Sequence, residues 1–466
     1  MSVRAIGSEG GRSSLDHAAV ADADAALREA NLSFAARYAG ESDSAQPVHT
    51  LIEGAQHFAF DVGARRGAQA IHMLDMYAPE PAALGRALGI SRHPALDAIA
   101  GRVRQKLERE PIEDYRIDFE DGYGIHSNAD EDRQVAVTAA EIARGVREGT
   151  LPGSIGVRIK PLTEELRARS VRTLDLLITA LIDSGGLPPR WVITVPKVTV
   201  IEQVTYVVAV LRGLEQSLGL ADRTLRFAIM VEVPQAIIDA TGRSLLPRML
   251  DAGDGRLMAI DFGTYDYTAG CNITAAHQRL RHPACDFAKQ VIQVSFAGTG
   301  VRISDGSTAV LPVPLHPDPS NGDPLSAEQR AENETAVHAG WLLHFADVRY
   351  SLAGGFYQGW DLHAAQLVSR YAAVASFYLE GVETAGARLH AFLNKAKTAT
   401  LVGGVLDEPA TGQGLLGFFL RGMQAGAITE SEAVTLTGLS PAELRQRSIL
   451  SILRSRAAAF DANPSR

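Results

Sequence analysis

The sequence predicts an α/β fold: a (β/α)8 TIM barrel with an N-terminal helical arm and a C-terminal helical appendix. Three observations predict it. From Pro47 onward short apolar runs alternate with segments of helical pattern, and eight such runs can be picked out. A third observation is chemical: several runs carry charges on one alternating face or end on an acidic residue, as strands around a polar barrel mouth do.

In chain order, the start (MSVRAIGSEGGRSS) is Gly- and Ser-rich and predicts no packed element. Ser14 can cap a helix over 15–36, where Ala, Leu and Glu dominate, and that helix is expected on the outside of the barrel. The strands are read at VHTLI (48–52), DYRIDF (114–119), SIGVRIK (154–160), WVITVP (191–196), RFAIMV (226–231), LMAIDF (257–262), QVIQVSF (290–296) and, more weakly, within GGFYQGWDL (354–362). Helical segments such as 164–184 and 200–218 lie between them. A doubly wound open sheet would want a Gly-rich phosphate fingerprint, and FAGTGVRISDG lacks its third glycine. The Pro-, Asp- and Gly-rich stretch at 311–326 can be neither helix nor central strand, and is expected to be a lid. Beyond Thr400, ESEAV and SPAEL carry helix-start signals, predicting two or three short helices ending near Ala459. The domains are read as 1–46, 47–400 and 401–466.

Composition narrows the function. At 466 residues, with 46% hydrophobic and 21% charged, the chain can bury a large core. A net charge of -9 and a pI near 5.8 argue against nucleic acid and membrane surfaces, leaving small molecules and copies of the chain as partners. Two cysteines, Cys271 and Cys285, make no disulfide framework. With no signal-peptide pattern and no run of spanning length, the expected location is the cytoplasm.

The candidate chemistry sits at the strand ends. Glu232 follows AIMV directly, and Asp266 lies just past LMAIDF, so two carboxylates at the ends of successive strands predict a shared metal site. In YRIDFED, alternation sets Tyr115, Ile117 and Phe119 against Arg116, Asp118 and Glu120. GVRIKPL sets Val157 and Ile159 against Arg158 and Lys160, and Lys197 closes ITVPK. Burying such charges is costly unless they neutralise one another or a ligand, so Glu120, Arg158, Lys197, Glu232 and Asp266 are expected to converge on one mouth. Plainer readings exist: Arg158 pairing only with Asp118 or Glu120, and Lys197 merely solvated. His126 and His363 are read as structural, Asp261 as a packing or outer acid, Tyr265 and Tyr267 as packing, and Arg279, Arg281 and His282 as a solvated face.

The ordered series DFEDGYG, GVRIK, TVPKV, MVEVPQAI, FGTYDYTAG and GWDLHAAQL resembles the HpcH/HpaI aldolase and citrate lyase beta-subunit superfamily, over about 48–385. The resemblance implies a Mg2+-dependent carbon–carbon lyase on a phosphoenolpyruvate/pyruvate-type barrel. Glu232 and Asp266 would be the metal ligands, and Arg158 the clamp on the substrate's carboxylate or carbonyl oxygen. Gly263 and Thr264 would bind substrate, Glu120 and Asp121 would match the acidic pair that orders metal-bound water, and Lys197 the lysine after the fourth strand. Relatives are commonly homo-oligomers. Hard oxygen ligands suit Mn2+ as well as Mg2+.

Such residues suit an enolate. A divalent cation on one or two carboxylates keeps positions open for substrate oxygens, and a guanidinium offers a planar fork to a carboxylate. The proton could pass through water ordered by Glu120 or Asp121, or through His126. Two substrates fit this frame, a pyruvate-like 2-oxo acid and an acyl-coenzyme A thioester. LIEGAQHF and His363-Ala364 depart from the family pattern and weaken the case for a coenzyme A site, and the expected lid with the unusual first turn favours the 2-oxo acid. A barrel without turnover, acting as a binding subunit, is the third reading.

Overall fold

The structure is a computed structural model that describes residues 18–40, 45–317, 324–394, 400–402, 405–407 and 409–462. Its centre is an eight-stranded parallel sheet: β1 (His49–Gly54), β2 (Asp114–Asp118), β3 (Ser154–Arg158), β4 (Trp191–Val195), β5 (Phe227–Val231), β6 (Leu257–Phe262), β7 (Arg302–Ser304) and β8 (Gly359–Asp361). The spatial order is β7-β6-β5-β4-β3-β2-β1-β8. Beyond the two short edge strands, a bridge between Ser307 and Trp360 and the Asp305 N–H on the Gln358 carbonyl (2.8 Å) bring the edges together into a nearly closed barrel.

Alternation along each strand divides the side chains. Leu51, Tyr115, Ile117, Ile155, Val157, Ile193, Phe227, Ile229 and Ile260 belong to the core formed with the surrounding helices. The opposite positions form a polar interior, in which Asp114 accepts from Arg116 (3.0 and 2.8 Å) and from the Thr50 hydroxyl (2.7 Å). Gly156 is required here, since a Cβ would lie 2.8 Å from Arg116 Nη1 and 2.0 Å from the Val192 carbonyl oxygen. The charged face expected for YRIDFED does point inward and upward.

The seventh strand is not where the apolar run predicts it. Residues 290–296 lie in the helix Pro283–Phe296, with His282 as N-cap and Pro283 in its first turn, and Cys285, Ala288, Ile292 and Phe296 buried at helical spacing. β7 comes later, inside the Gly-rich stretch. β8 is only three residues long, and buried partners pin it: Asp361 accepts from His49 Nδ1 (2.8 Å) and Arg370 Nη2 (2.7 Å). Burial opposes the Asp361 charge, but Arg370 and the two histidines His344 and His49 outweigh it and hold its pKa far below the usual carboxylate range.

Between β1 and β2 the chain inserts three helices, Val62–Tyr77, Pro81–Ala87 and Leu96–Arg109. With Ala327–Ala353, Gln366–Leu379 and the C-terminal helices they share a second core, which contains Leu84, Ile99, Trp341, Leu367, Leu389 and Phe419. The tail is more varied than expected: strands Thr400–Val402 and Val405–Asp407 pair antiparallel before four helices, the last being Ile449–Ala462. The N-terminal helix is Ala21–Arg37, preceded by a short turn at Ala18–Val20, and none of its described residues is buried. Ser14, the chain's start and residues 318–323 of the expected lid lie outside the described residues. Among the described residues no helix is long and apolar enough to cross a membrane, and Cys271 and Cys285 are free thiols.

Candidate functional site

At the C-terminal ends of the strands lies a cavity of about 740 Å3, lined among others by Asp118, Asp121, Arg158, Glu232, Gly263, Thr264 and Asp266. Six of these residues were expected there or beside one another from sequence, and β2, β3, β5 and β6 deliver them.

Asp118 organises the first part. At the end of β2 it accepts from Arg158 Nε (2.7 Å) and Nη2 (2.6 Å), and also from the backbone N–H groups of Glu120 (2.9 Å) and Gly122 (2.7 Å). One carboxylate thus fixes both the guanidinium and the turn that carries Glu120 and Asp121. Arg158 Nη1 lies 3.1 Å from Glu120 Oε2, so the structural pairing and a cavity-facing edge coexist. Burial opposes the guanidinium charge, but Asp118, Glu120 and Glu232 overcome it and raise its pKa.

Lys197 is more central than its sequence context indicates. Its Nζ lies 2.5 Å from Glu120 Oε1, 3.0 Å from Asp121 Oδ2 and 3.5 Å from Asp266 Oδ2, while its backbone N–H donates to Glu232 Oε1 (2.8 Å). Burial disfavours the ammonium, and the hydrogen bond and charge of Glu120, with Asp121 and Glu232, more than compensate, raising its pKa. Lys160 goes elsewhere, to the Phe119 carbonyl (2.6 Å) and Glu131 (2.8 Å).

Glu232 is 2% exposed, and the approach of Gly263 allows its position. A Cβ on Gly263 would sit 2.5 Å from Glu232 Oε2. Burial, reinforced by Glu120 and Asp266, pushes the Glu232 pKa up to about 8. Burial also raises that of Glu120, with Asp121 adding to it against Arg158 and Lys197. Asp266, in the first turn of the helix Thr264–Gly270, is 44% exposed at its side chain. The buried Thr264 Oγ1 has no hydrogen-bond partner.

Among the described residues no three His, Cys, Asp or Glu side chains are arranged as a metal cage. The donor set nevertheless fits a hard divalent cation bound by one or two carboxylates with substrate and water completing its shell. The carboxylates of Asp118, Glu120, Asp121, Glu232 and Asp266 stand against the charges of Arg158 and Lys197, an excess of three negative charges if all ionise. Thr264 Oγ1, also in the cavity lining, adds a buried hydroxyl with no hydrogen-bond partner.

The other candidates fall outside or at the edge. His126 packs on Tyr123 with centroids 4.2 Å apart and contacts its carbonyl (2.9 Å), away from the cavity lining. Arg281 pairs with Asp347 (2.7 Å), and His282 caps a helix. Tyr265 does line the cavity, accepting from the Ala309 N–H (2.6 Å) and donating to the Ser307 carbonyl (3.2 Å). Sequence reasoning passed over Glu53, His57 and Arg66, which line the wall above β1. Glu53 carries the signal that found Glu232, an acid at the end of an apolar run. Arg66 carries none, being one of two adjacent arginines in a helix.

Fold and mouth together define a parallel (β/α)8 barrel with a charged cavity at the end where such barrels place their sites. The chain belongs to the family described as domain of unknown function DUF6986, whose model matches residues 27–452. No curated protein matches it in sequence. Among solved structures it is similar in fold to a citrate lyase from Burkholderia xenovorans LB400, with a TM-score of 0.51 and 19% identity over 73% of this chain and 92% of that one. A malate synthase from Haloferax volcanii matches with a TM-score of 0.43 and 14% identity, over 91% of this chain and 96% of that one.

Proposed function

We propose that this chain is a divergent HpcH/HpaI-type enzyme, a metal-dependent carbon–carbon lyase or aldolase that works through the enolate of a 2-oxo acid. The observation that carries the reading is the carboxylate excess around Glu232, in a cavity that also presents a guanidinium. The fold likeness to a citrate lyase is compatible with it.

Glu232 and Asp266 would hold Mg2+ or Mn2+, which when bound supplies Lewis-acid polarisation of a carbonyl oxygen. Arg158, locked by Asp118, turns its Nη1 edge to the substrate's carboxylate or developing enolate oxygen. Thr264 Oγ1 can donate to a substrate oxygen. Glu120, its pKa raised, can take up a proton at Oε2 and return it, with Lys197 fixing the other oxygen. Gly263 keeps the space that Glu232 fills.

Calorimetric titration of Mg2+ with oxalate, a planar mimic of the pyruvate enolate, tests the reading. Metal-dependent oxalate binding to the wild type that disappears in Glu232→Gln is expected. A wild type that binds no oxalate in the presence of Mg2+ overturns the pyruvate-type enolate.

A further inference from the structure

We infer that a second cavity, at the opposite pole of the barrel in the seam between β7 and the C-terminal helices, is a binding site for a small phosphate-bearing anion. It differs from the mouth in position and in charge, so the inference does not rest on the proposed enolate chemistry.

Arg302 opens β7, so it stands at the N-terminal ends of the strands, the pole away from Glu232 and Asp266. A cavity of about 350 Å3 lies there. Arg302 lines it from the barrel, Arg421 and Gln424 from the helix Pro409–Gln424, and Arg447 from the turn after the helix Pro441–Gln446, with Gln46 and Gln293 on the barrel side. Among the described residues no Asp or Glu lines it, although the chain carries 54 acids against 45 Lys and Arg. Three guanidiniums and three side-chain amides in a wall without carboxylates invert the charge of the mouth, and such a concave surface draws anions.

Arg302 is short of partners. It is half-buried, and among the described residues it forms no ion pair; its hydrogen bond runs from Nη1 to the Ala45 carbonyl at a long 3.5 Å. Asp114, the carboxylate it feels most, is already engaged by Arg116 (3.0 and 2.8 Å). Burial therefore prevails and lowers the Arg302 pKa, with Arg116 and Arg226 adding to it against Asp114 and Asp261. The appendix holds its own two arginines in place. Cζ of Arg421 stands 3.9 Å from the centroid of the Tyr357 ring. Arg447 takes a φ of 55°, and Gln413 brackets its turn, donating to the Arg447 carbonyl (3.1 Å) and accepting from the Ile449 N–H (2.9 Å). On the barrel side the chain enters β7 through Gly298 and Gly300, both at positive φ, so that wall is backbone that a ligand can approach closely. One guanidinium fork satisfies a carboxylate, whereas guanidiniums arriving from a strand, a helix and a turn suit the several oxygens of a phosphate.

The test is calorimetric titration of the full chain with inorganic phosphate and, separately, with glycerol 3-phosphate, in EDTA and at fixed ionic strength so that no divalent cation bridges either anion to the mouth. The wild type should bind one anion saturably and prefer both over acetate. Arg302→Gln and Arg421→Gln should each weaken that binding roughly tenfold or more, the scale of one charge-assisted hydrogen bond. Arg302→Lys, which keeps the charge and loses the fork, should fall between. Whichever anion binds more tightly tells free phosphate from a phosphate monoester as the occupant. Thermal unfolding first establishes that each variant folds, and Arg421→Gln, on the appendix, tests the site independently should Arg302→Gln fail to fold. No saturable binding to the wild type, acetate binding as tightly as phosphate, or unchanged phosphate affinity in a folded Arg302→Gln or Arg421→Gln variant overturns the site.

Discussion

The backbone N–H of Lys197 donates to Oε1 of Glu232 at 2.8 Å, and Lys197 reaches that position with φ at 51°, in the left-handed region that residues with a Cβ seldom occupy. The residue after Pro196 is thus turned so that its backbone serves one carboxylate while its ammonium serves three others. Local strain of this kind persists only where surrounding contacts over-determine it.

Replacing the ammonium should expose the repulsion it masks. Lys197→Met keeps the apolar stem and leaves Glu120, Asp121 and Asp266 without their shared cation. The expected cost is about 2 kcal/mol of stability, the scale of a charged hydrogen bond. Millimolar Mg2+ should recover more of the loss in the variant than it adds to the wild type. Denaturant unfolding with and without Mg2+ measures this, and an equal Mg2+ effect on both proteins would remove Lys197 from the carboxylate cluster's electrostatics.

Cation binding at Glu232 should release a proton. With burial, Glu120 and Asp266 holding its pKa near 8, Glu232 is largely protonated at pH 7, and a cation must displace that proton. Apparent Mg2+ affinity is therefore expected to climb between pH 6 and pH 8 and level off above, since only the ionised form is a ligand. Calorimetry at pH 7 in buffers of differing ionisation enthalpy should show a proton released on binding, and release should vanish in Glu232→Gln along with the binding.

Much of this was legible in the sequence because strand chemistry is local. An apolar run ending in an acid is visible at Val231-Glu232, and alternation in YRIDFED showed which charges turn inward. The seventh strand was missed because Val, Ile and Phe in 290–296 satisfy strand and buried-helix patterns alike, and only the Pro283 start and the spacing of the buried positions decide for helix. The hub position of Lys197 depends on a positive φ that no residue type announces, and Asp118 looked like one more charge on a strand until its four donors were seen together. Arg66 reaches the mouth from the helix that follows β1, where its Nε donates to Glu53 on that strand.

Gly263 should tolerate no side chain. Its φ of -104° would suit alanine, so the obstacle is the Glu232 side chain, whose Cβ and Oε2 each lie 2.5 Å from where a Cβ would stand. Gly263→Ala is expected to cost about 1–3 kcal/mol, the usual range for overpacking. It should also weaken Mg2+-dependent oxalate binding, because Glu232 must move. Unfolding and calorimetry on the same preparation separate the two effects, and unchanged oxalate affinity would show that Glu232 need not lie against Gly263 to do its work.

Below the mouth, Asp261 offers a test of pH dependence that does not involve turnover. It is buried on β6, its Oδ2 has no hydrogen-bond partner, and burial, aided by Asp114 and opposed by Arg116 and Arg302, pushes its pKa up to about 7. A carboxyl whose folded pKa lies above its unfolded value near 3.8 keeps its proton in the native state while the unfolded chain has already lost it. Between those two values the native state binds more protons, so this residue's contribution to stability falls as pH rises, by roughly 4 kcal/mol in all by the time pH passes the folded pKa. Asp261→Asn removes the titration and keeps the shape. The gap in melting temperature between Asp261→Asn and wild type should therefore widen in favour of the variant from pH 5 to pH 8, whatever other groups titrate in both. A gap that stays constant across that range would mean that Asp261 is ionised in the folded protein throughout, with Arg116 and Arg302 compensating its burial in full.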